Sequence, residues 1–244
     1  MDADPRLLAH RMVWDAKPGL REIYADYYRR ITALCCKGPT LEIGSGSGHI
    51  RDHLSEVYMA DILPAEWLDL AADAQHLPFA PASLANIVML DVLHHIENPS
   101  SFFSEAISAL RPGGRLVMLD PAITFGSWAV YNFFHAELVD MSADPLSQER
   151  SQSSGDPFDS NQAVPSLLFS NASRCARFEK MFPALKIRAR QFFGFATYPL
   201  TGGFRDWCLV PGGAVAPLLK VERCLEPLFA RLFGFRLLIA LERV

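Results

Sequence analysis

Between Gly38 and Pro121 the chain keeps one rhythm, in which short apolar runs of strand length alternate with turn signals and helical stretches. PTLEIG, EVYMAD, LDLAAD, LANIVMLD and GRLVMLD read as strands, and GHIRDHLSE and SFFSEAISAL as helices. The second helix is opened by Asn98-Pro99 and stopped by Arg111-Pro112-Gly113-Gly114. Strands that alternate with helices force crossover connections, and the sheet they build is parallel and covered on both faces.

The tightest point of this pattern is LEIGSGSGHI, Leu41 to Ile50, where Gly44, Gly46 and Gly48 follow an apolar run directly. A Cβ there would obstruct a tight strand-to-helix turn and any flat ligand lying against it, whereas glycine permits positive φ and close approach. A nicotinamide dehydrogenase also uses such a turn, but its G-x-G-x-x-G fingerprint wants glycine where His49 stands. The 244 residues carry a net charge of −4 with dispersed basic groups, which gives no footprint for a phosphate backbone and argues against nucleic acid as a partner. Five cysteines without CxxC spacing read as reduced, mostly buried thiols of a cytoplasmic protein, with no metal site expected.

The second half departs from the alternation. After Pro121 comes an aromatic stretch, SWAVYNFFHAE, and then the polar SADPLSQERSQSSGDPFDSNQ. A connection of this length is expected to act as a lid or binding loop over 122–170, with 141–165 mobile until an acceptor binds. NASRCARFEKMF reads as a helix; LKIRAR alternates strictly, as an edge strand does, and the nearly continuous FRLLIALERV reads as an interior strand. An amphipathic helix over 214–233 carries Leu218, Val221, Leu225, Leu228, Phe229 and Leu232 on one side, with Pro227 expected to kink it. Residues 1–37 form an N-terminal helical cover, in which Leu20, Ile23, Tyr24, Tyr27, Ile31 and Leu34 recur at helical spacing after Pro18.

LEIGSGSG, the acid ending VYMAD, ADAQHLPF, NIVMLDVLHHI and LRPGGRLVMLDP stand in the order and spacing of five motifs, and together they resemble a class I S-adenosylmethionine-dependent methyltransferase of the methyltransferase 11 type. The resemblance runs from about Gly38 to Pro121. It implies a Rossmann-like three-layer sandwich in one domain spanning 1–244: a cofactor core over 38–121, the lid insertion, and a C-terminal part over 171–244 that completes a seven-stranded, mostly parallel sheet with an antiparallel last strand. Only ILPAEWLDLAA separates Asp61 from Asp73, so the second crossover must be shortened, with Trp67 placed to plug the cofactor site.

The resemblance implies S-adenosylmethionine as cofactor. Gly44, Gly46 and Gly48 would approach its amino-acid arm and ribose, Asp61 would accept from the ribose hydroxyls, and Asp73 from the adenine amine, with Ile62 and Ala74 as walls. Glu42 and Asp91 would face the ammonium and sulfonium. The acceptor pocket falls above the fourth and fifth strands, where Trp128, Tyr131, Phe133, Phe134 and His135 favour a small-molecule acceptor that is apolar, aromatic or lipid-like. For a hydroxyl acceptor the catalytic candidates are His94 and His135 as base, with Asp91 orienting and His95 behind them. C- or N-methylation and a non-catalytic cofactor-binding protein are the alternatives. No stable membrane insertion is expected. Peripheral contact through 214–233 stays open, but the mixed charge of Lys220, Glu222, Arg223, Glu226 and Arg231 favours pocket closure by that helix over a lipid surface.

Overall fold

The computed structural model describes residues 3–134, 137–147, 156 and 158–244. Two helices lead, α1 (Pro5–Ala16) and α2 (Pro18–Thr32), each with proline in its first turn, where the missing N–H costs no bond. There follow β1 (Thr40–Ile43), β2 (Val57–Asp61), β3 (Leu70–Ala71), β4 (Leu84–Leu90), α3 (Pro99–Ala109), β5 (Leu110–Pro121) and α4 (Phe125–Phe133). The chain closes with α5 (Val164–Phe169), α6 (Ala172–Met181), β6 (Leu185–Phe193), α7 (Thr197–Leu200), α8 (Gly212–Phe233) and β7 (Arg236–Arg243).

The seven strands form one sheet in the order β3-β2-β1-β4-β5-β7-β6. β7 runs antiparallel to both β5 and β6, which leaves β6 at the edge and β7 inside, as the alternation of one and the continuity of the other require. A bulge between Ile187 and Ala189 breaks the strict alternation of β6. On one face Phe102, Phe103, Phe169 and Phe178 pack against Leu116, Met118 and Ile239; on the other α2 and α8 set Ile23, Tyr27, Val215 and Leu219 against Val88, Val117 and Leu238.

Three expectations need correction here. The helix expected over GHIRDHLSE is a single 3-10 turn, Ile50–Asp52. Once the glycine turn has used 44–49, seven residues remain before β2; as an α-helix they would rise about 10.5 Å, less than the roughly 13 Å spanned by a four-residue strand, so the return path is more extended. The strand expected over LDLAAD shrinks to the two residues of β3, paired with Ala60 and Asp61. The cysteines are all free, but none is fully buried, and Cys208 and Cys224 are exposed.

The shortened crossovers leave the cofactor edge of the sheet to be covered from elsewhere, and α1 covers it. The Asp4 amide donates to the Pro64 carbonyl, Arg11 lies 4.4 Å over the Trp67 ring, and Trp14 stacks on His49 at 3.7 Å. At the junction of α1 and α2, Lys17 Nζ donates to the carbonyls of Thr201 (3.0 Å), Gly203 (3.0 Å), Arg205 and Trp207 (2.8 Å), and so ties the loop after α7 to the cover.

Candidate functional site

β1, β2, β4 and β5 all end at one edge of the sheet, and their last residues form a floor. Gly44, Gly46 and Gly48 all have positive φ, at 70°, 48° and 78°. The missing side chains serve different ends. A Cβ on Gly44 would run into Val92, and one on Gly48 would lie 2.7 Å from Trp67 Cδ1, whereas above Gly46 the nearest atom is 4.0 Å away. Trp67 Nε1 donates to the Gly46 carbonyl at 2.8 Å, which seats the indole on the turn.

Asp61, at the end of β2, accepts from the Gly46 amide (2.9 Å) and the Leu63 amide (3.0 Å) and is nearly buried. Burial raises its pKa, and those two amides oppose the rise. Asp73 accepts from the Gln75 amide at 2.8 Å beyond the end of β3; Ala74 is buried and Ile62 is half in solvent. Glu42 is buried at the end of β1 with Oε1 receiving the Tyr28 hydroxyl (3.2 Å), while Oε2 has no partner. Its burial pushes the pKa up to about 8.

At the ends of β4 and β5 the geometry is ionic. Asp91 has φ 58° and pairs with Arg236, the first residue of β7. Arg236 is itself buried, donates from Nε to the Tyr27 hydroxyl (3.2 Å) and lies 4.3 Å over the Tyr198 ring. Two residues past Asp91, a 3-10 turn buries His94, whose Nδ1 lies 2.8 Å from Asp120 Oδ1 and whose Nε2 is 3.6 Å from Glu137 Oε2. Burial alone would lower the His94 pKa, but the bond to Asp120, with Glu137 and Asp91 near, outweighs it and pushes the pKa up to about 9. His95 instead turns Nδ1 to the Asp159 carbonyl (3.1 Å), and burial beside the His94 charge holds it down at about 4.

Residues 41–118 match a family model described as a methyltransferase domain. Of the solved structures similar to this chain, a SAM-dependent methyltransferase from Archaeoglobus fulgidus is 15% identical, with a TM-score of 0.51 over 92% of this chain and 94% of that one. Residues 41–118 carry a methyltransferase domain. A geranyl diphosphate C-methyltransferase from Streptomyces coelicolor A3(2) is also similar, at 11% identity and a TM-score of 0.47 over 92% of this chain and 80% of that one. No curated protein matches the sequence.

S-adenosylmethionine is the cofactor of this domain, and the residues of the methyltransferase fit it. The space above Gly46 is open, Asp61 keeps lone pairs beyond its two amide bonds, and the buried Glu42 Oε2 lacks a donor. The acceptor side differs from what the aromatic stretch suggested. Only Tyr131 faces inward, its hydroxyl donating to the Phe235 carbonyl at 3.1 Å; Trp128, Phe133 and Phe134 of the methyltransferase are exposed, and His135 lies outside the described residues, as do 148–155 and 157 of the expected lid. The inward wall consists of Tyr24, Tyr27 and Tyr198 with Arg236.

His94, His95 and Glu137 each offer one ligand atom within 4.8 Å of the others, and no other such trio occurs among the described residues. The His94 imidazolium already stands as the cation between Asp120 and Glu137, leaving the cluster one net negative charge. No pattern in the sequence pointed to Glu137, which receives Ser160 Oγ at 2.6 Å from a segment more than twenty residues on. Asp120 was within the fifth-strand motif, and its position at the end of β5 was the available signal.

Proposed function

We propose that this protein transfers the methyl group of S-adenosylmethionine to a hydroxyl oxygen of a small apolar, aromatic or lipid-like acceptor. When bound, the cofactor supplies a methyl group already activated by its sulfonium leaving group, so alignment in a dry pocket is the main demand on the protein. Gly46 gives the amino-acid arm close access to the backbone, and Asp61 accepts from the ribose hydroxyls. Asp73 accepts from the adenine amine between Ile62 and Ala74, and Glu42 accepts from the ammonium. The tyrosine wall around Arg236 suits a flat or apolar acceptor that presents one polar group to the ionic end of the pocket.

The observation that carries the hydroxyl reading is the buried contact of His94 Nδ1 with Asp120, which leaves Nε2, 3.6 Å from Glu137 Oε2, as the atom that takes the proton. Asp120 fixes the ring's orientation and tautomer, and Asp91, fixed by Arg236, borders the same pocket. With a pKa of about 9, His94 is mostly protonated near neutrality, so its base form and the methylation rate rise together toward pH 9. His135 remains the second candidate for the base. A reducing, cytoplasmic setting suits the five free thiols.

Mass spectrometry of co-purified ligands, followed by a labelled-methyl screen of metabolite extracts, identifies the acceptor. With that acceptor, His94→Asn lowers the chemical rate by about 10²–10⁴-fold and removes the alkaline rise, while cofactor affinity is kept. Full activity and an unchanged pH profile in both His94→Asn and His135→Asn would overturn base catalysis and point to a carbon or nitrogen that needs no deprotonation. Cofactor binding with no acceptor in any extract would favour a non-catalytic role.

A further inference from the structure

α8 is mounted with its acids inward and its apolar stripe outward. Glu222 is buried, its carboxylate accepting from the Thr197 amide (2.8 Å), the Thr197 hydroxyl (2.7 Å) and the Phe195 amide (3.1 Å). Glu226 accepts from both terminal nitrogens of Arg30, at 3.1 and 2.8 Å. With both acids engaged, the charged side chains that α8 leaves in solvent are Lys220, Arg231 and, in part, Arg223, which lies 3.6 Å from the buried Asp26; all three are basic. The stripe expected to close the acceptor pocket is exposed instead, with Leu228 at 74% and Leu232 at 55%.

This apolar surface continues onto α4. Phe233 packs against Gly126, and Phe125, 82% exposed, meets the Phe233 ring edge-on. Beside it, between α2, α8 and β6, runs a groove of about 740 Å³ lined by Arg29, Arg30, Arg190, Arg223 and Arg231 and by two acids, Asp26, which pairs with Arg29, Arg30 and Arg223, and Glu226, which pairs with Arg30, so that the arginines outnumber the acids. A protein of net charge −4 thus concentrates positive charge next to its exposed leucines and phenylalanines.

We infer that α8, with the tip of α4, docks this protein on an anionic phospholipid surface, the apolar side chains entering the interface and the arginine groove receiving lipid phosphates. The charge pattern selects this occupant. An interfacial helix pairs an apolar face with basic flanks, and guanidinium groups bind phosphate oxygens two at a time. A second copy of the chain meeting the same face about a two-fold axis would bring arginines toward arginines. The inference is independent of the acceptor's identity and of which atom is methylated.

Vesicle flotation of the full chain tests it. The protein floats with vesicles of phosphatidylcholine and phosphatidylglycerol, not with phosphatidylcholine alone, and added salt weakens the binding. Leu228→Glu with Leu232→Glu abolishes flotation, and Lys220→Glu with Arg231→Glu weakens it roughly tenfold or more. Both pairs lie on the solvent side, so S-adenosylhomocysteine binding, read by calorimetry, stays at the wild-type value and reports an intact fold. Equal flotation with neutral and anionic vesicles, or variants that float like the wild type, would overturn the inference. So would a wild-type dimer that Leu228→Glu dissociates without any vesicle binding, since the face would then be a subunit interface.

Discussion

Arg236 and Asp91 meet across the edge of the sheet where β4 and β5 end, the first residue of β7 reaching past β5 to the residue that follows β4. Burial raises the Asp91 pKa and the guanidinium opposes it, so the carboxylate depends on its partner to stay charged. Arg236→Met alone therefore costs about 3–5 kcal/mol, the usual penalty for stranding a buried charge. Adding Asp91→Asn recovers part of that loss. Urea denaturation of the two variants checks it, and a single variant as stable as the wild type would show that the pair is not a buried ion pair in solution.

The three glycines separate stability from binding. Gly44→Ala meets Val92 and Gly48→Ala meets Trp67, so both lower the melting temperature. Gly46→Ala has room for its methyl group and carries only the strain of φ 48°, so its main loss is in cofactor binding. Asp61→Ala weakens that binding by about 1–3 kcal/mol. Calorimetry beside thermal melts distinguishes these outcomes; three alanine variants with the same ratio of lost stability to lost affinity would contradict this division.

Glu42 links cofactor binding to pH. Raised to about 8, it is mostly neutral at pH 7, and an ammonium beside the partnerless Oε2 favours its charged form. Binding of S-adenosylmethionine at pH 7 should release close to one proton. Titrations in two buffers of different ionisation enthalpy measure this number, and Glu42→Gln should bring it near zero.

Stability falls as the solution becomes alkaline, for two reasons of the same sign. The folded chain holds a proton on Glu42 that the unfolded chain loses above 4.5, so this contribution declines between 4.5 and about 8. His94, raised from 6.5 to about 9, adds stability that is fully present below 6.5 and is lost as pH rises through about 9. Melting temperatures should decrease between pH 6.5 and 9, with Glu42→Gln flattening the part below pH 8; below 6.5 His95 and His49, both held down at about 4, contribute with the opposite sign. A maximum near pH 8 would refute both assignments.

Lys17 holds four carbonyls of the loop after α7 from the helix junction. Lys17→Met keeps the length and removes the donors, which should cost about 1–3 kcal/mol and raise hydrogen exchange in 201–207. Unchanged exchange there would mean that the loop holds itself.

Strand order was readable because burial on one or both faces leaves its mark on local sequence: LKIRAR alternates at the edge, and FRLLIALERV does not in the interior. What was not readable depends on partners distant in sequence. Arg236 stands at the head of an apolar run and shows nothing of Asp91, 145 residues earlier. The periodicity of α8 revealed that it has two faces but not which one is turned inward, because Glu222 is drawn in by Thr197, 25 residues away. The helix after the glycine turn was lost to a length constraint set by where β2 begins.

The outward stripe of α8 also bears on the heat capacity of unfolding. That quantity grows with the apolar area newly exposed to water, about 12–15 cal/mol/K per residue in ordinary domains. Here several leucines and phenylalanines that count toward the 50% hydrophobic composition are hydrated before unfolding begins, and part of what holds their helix is ionic. Calorimetry should find a smaller heat-capacity increment than composition suggests. The stability curve is then flatter, and the chain loses less on moderate cooling than a domain of equal size whose apolar residues are all enclosed.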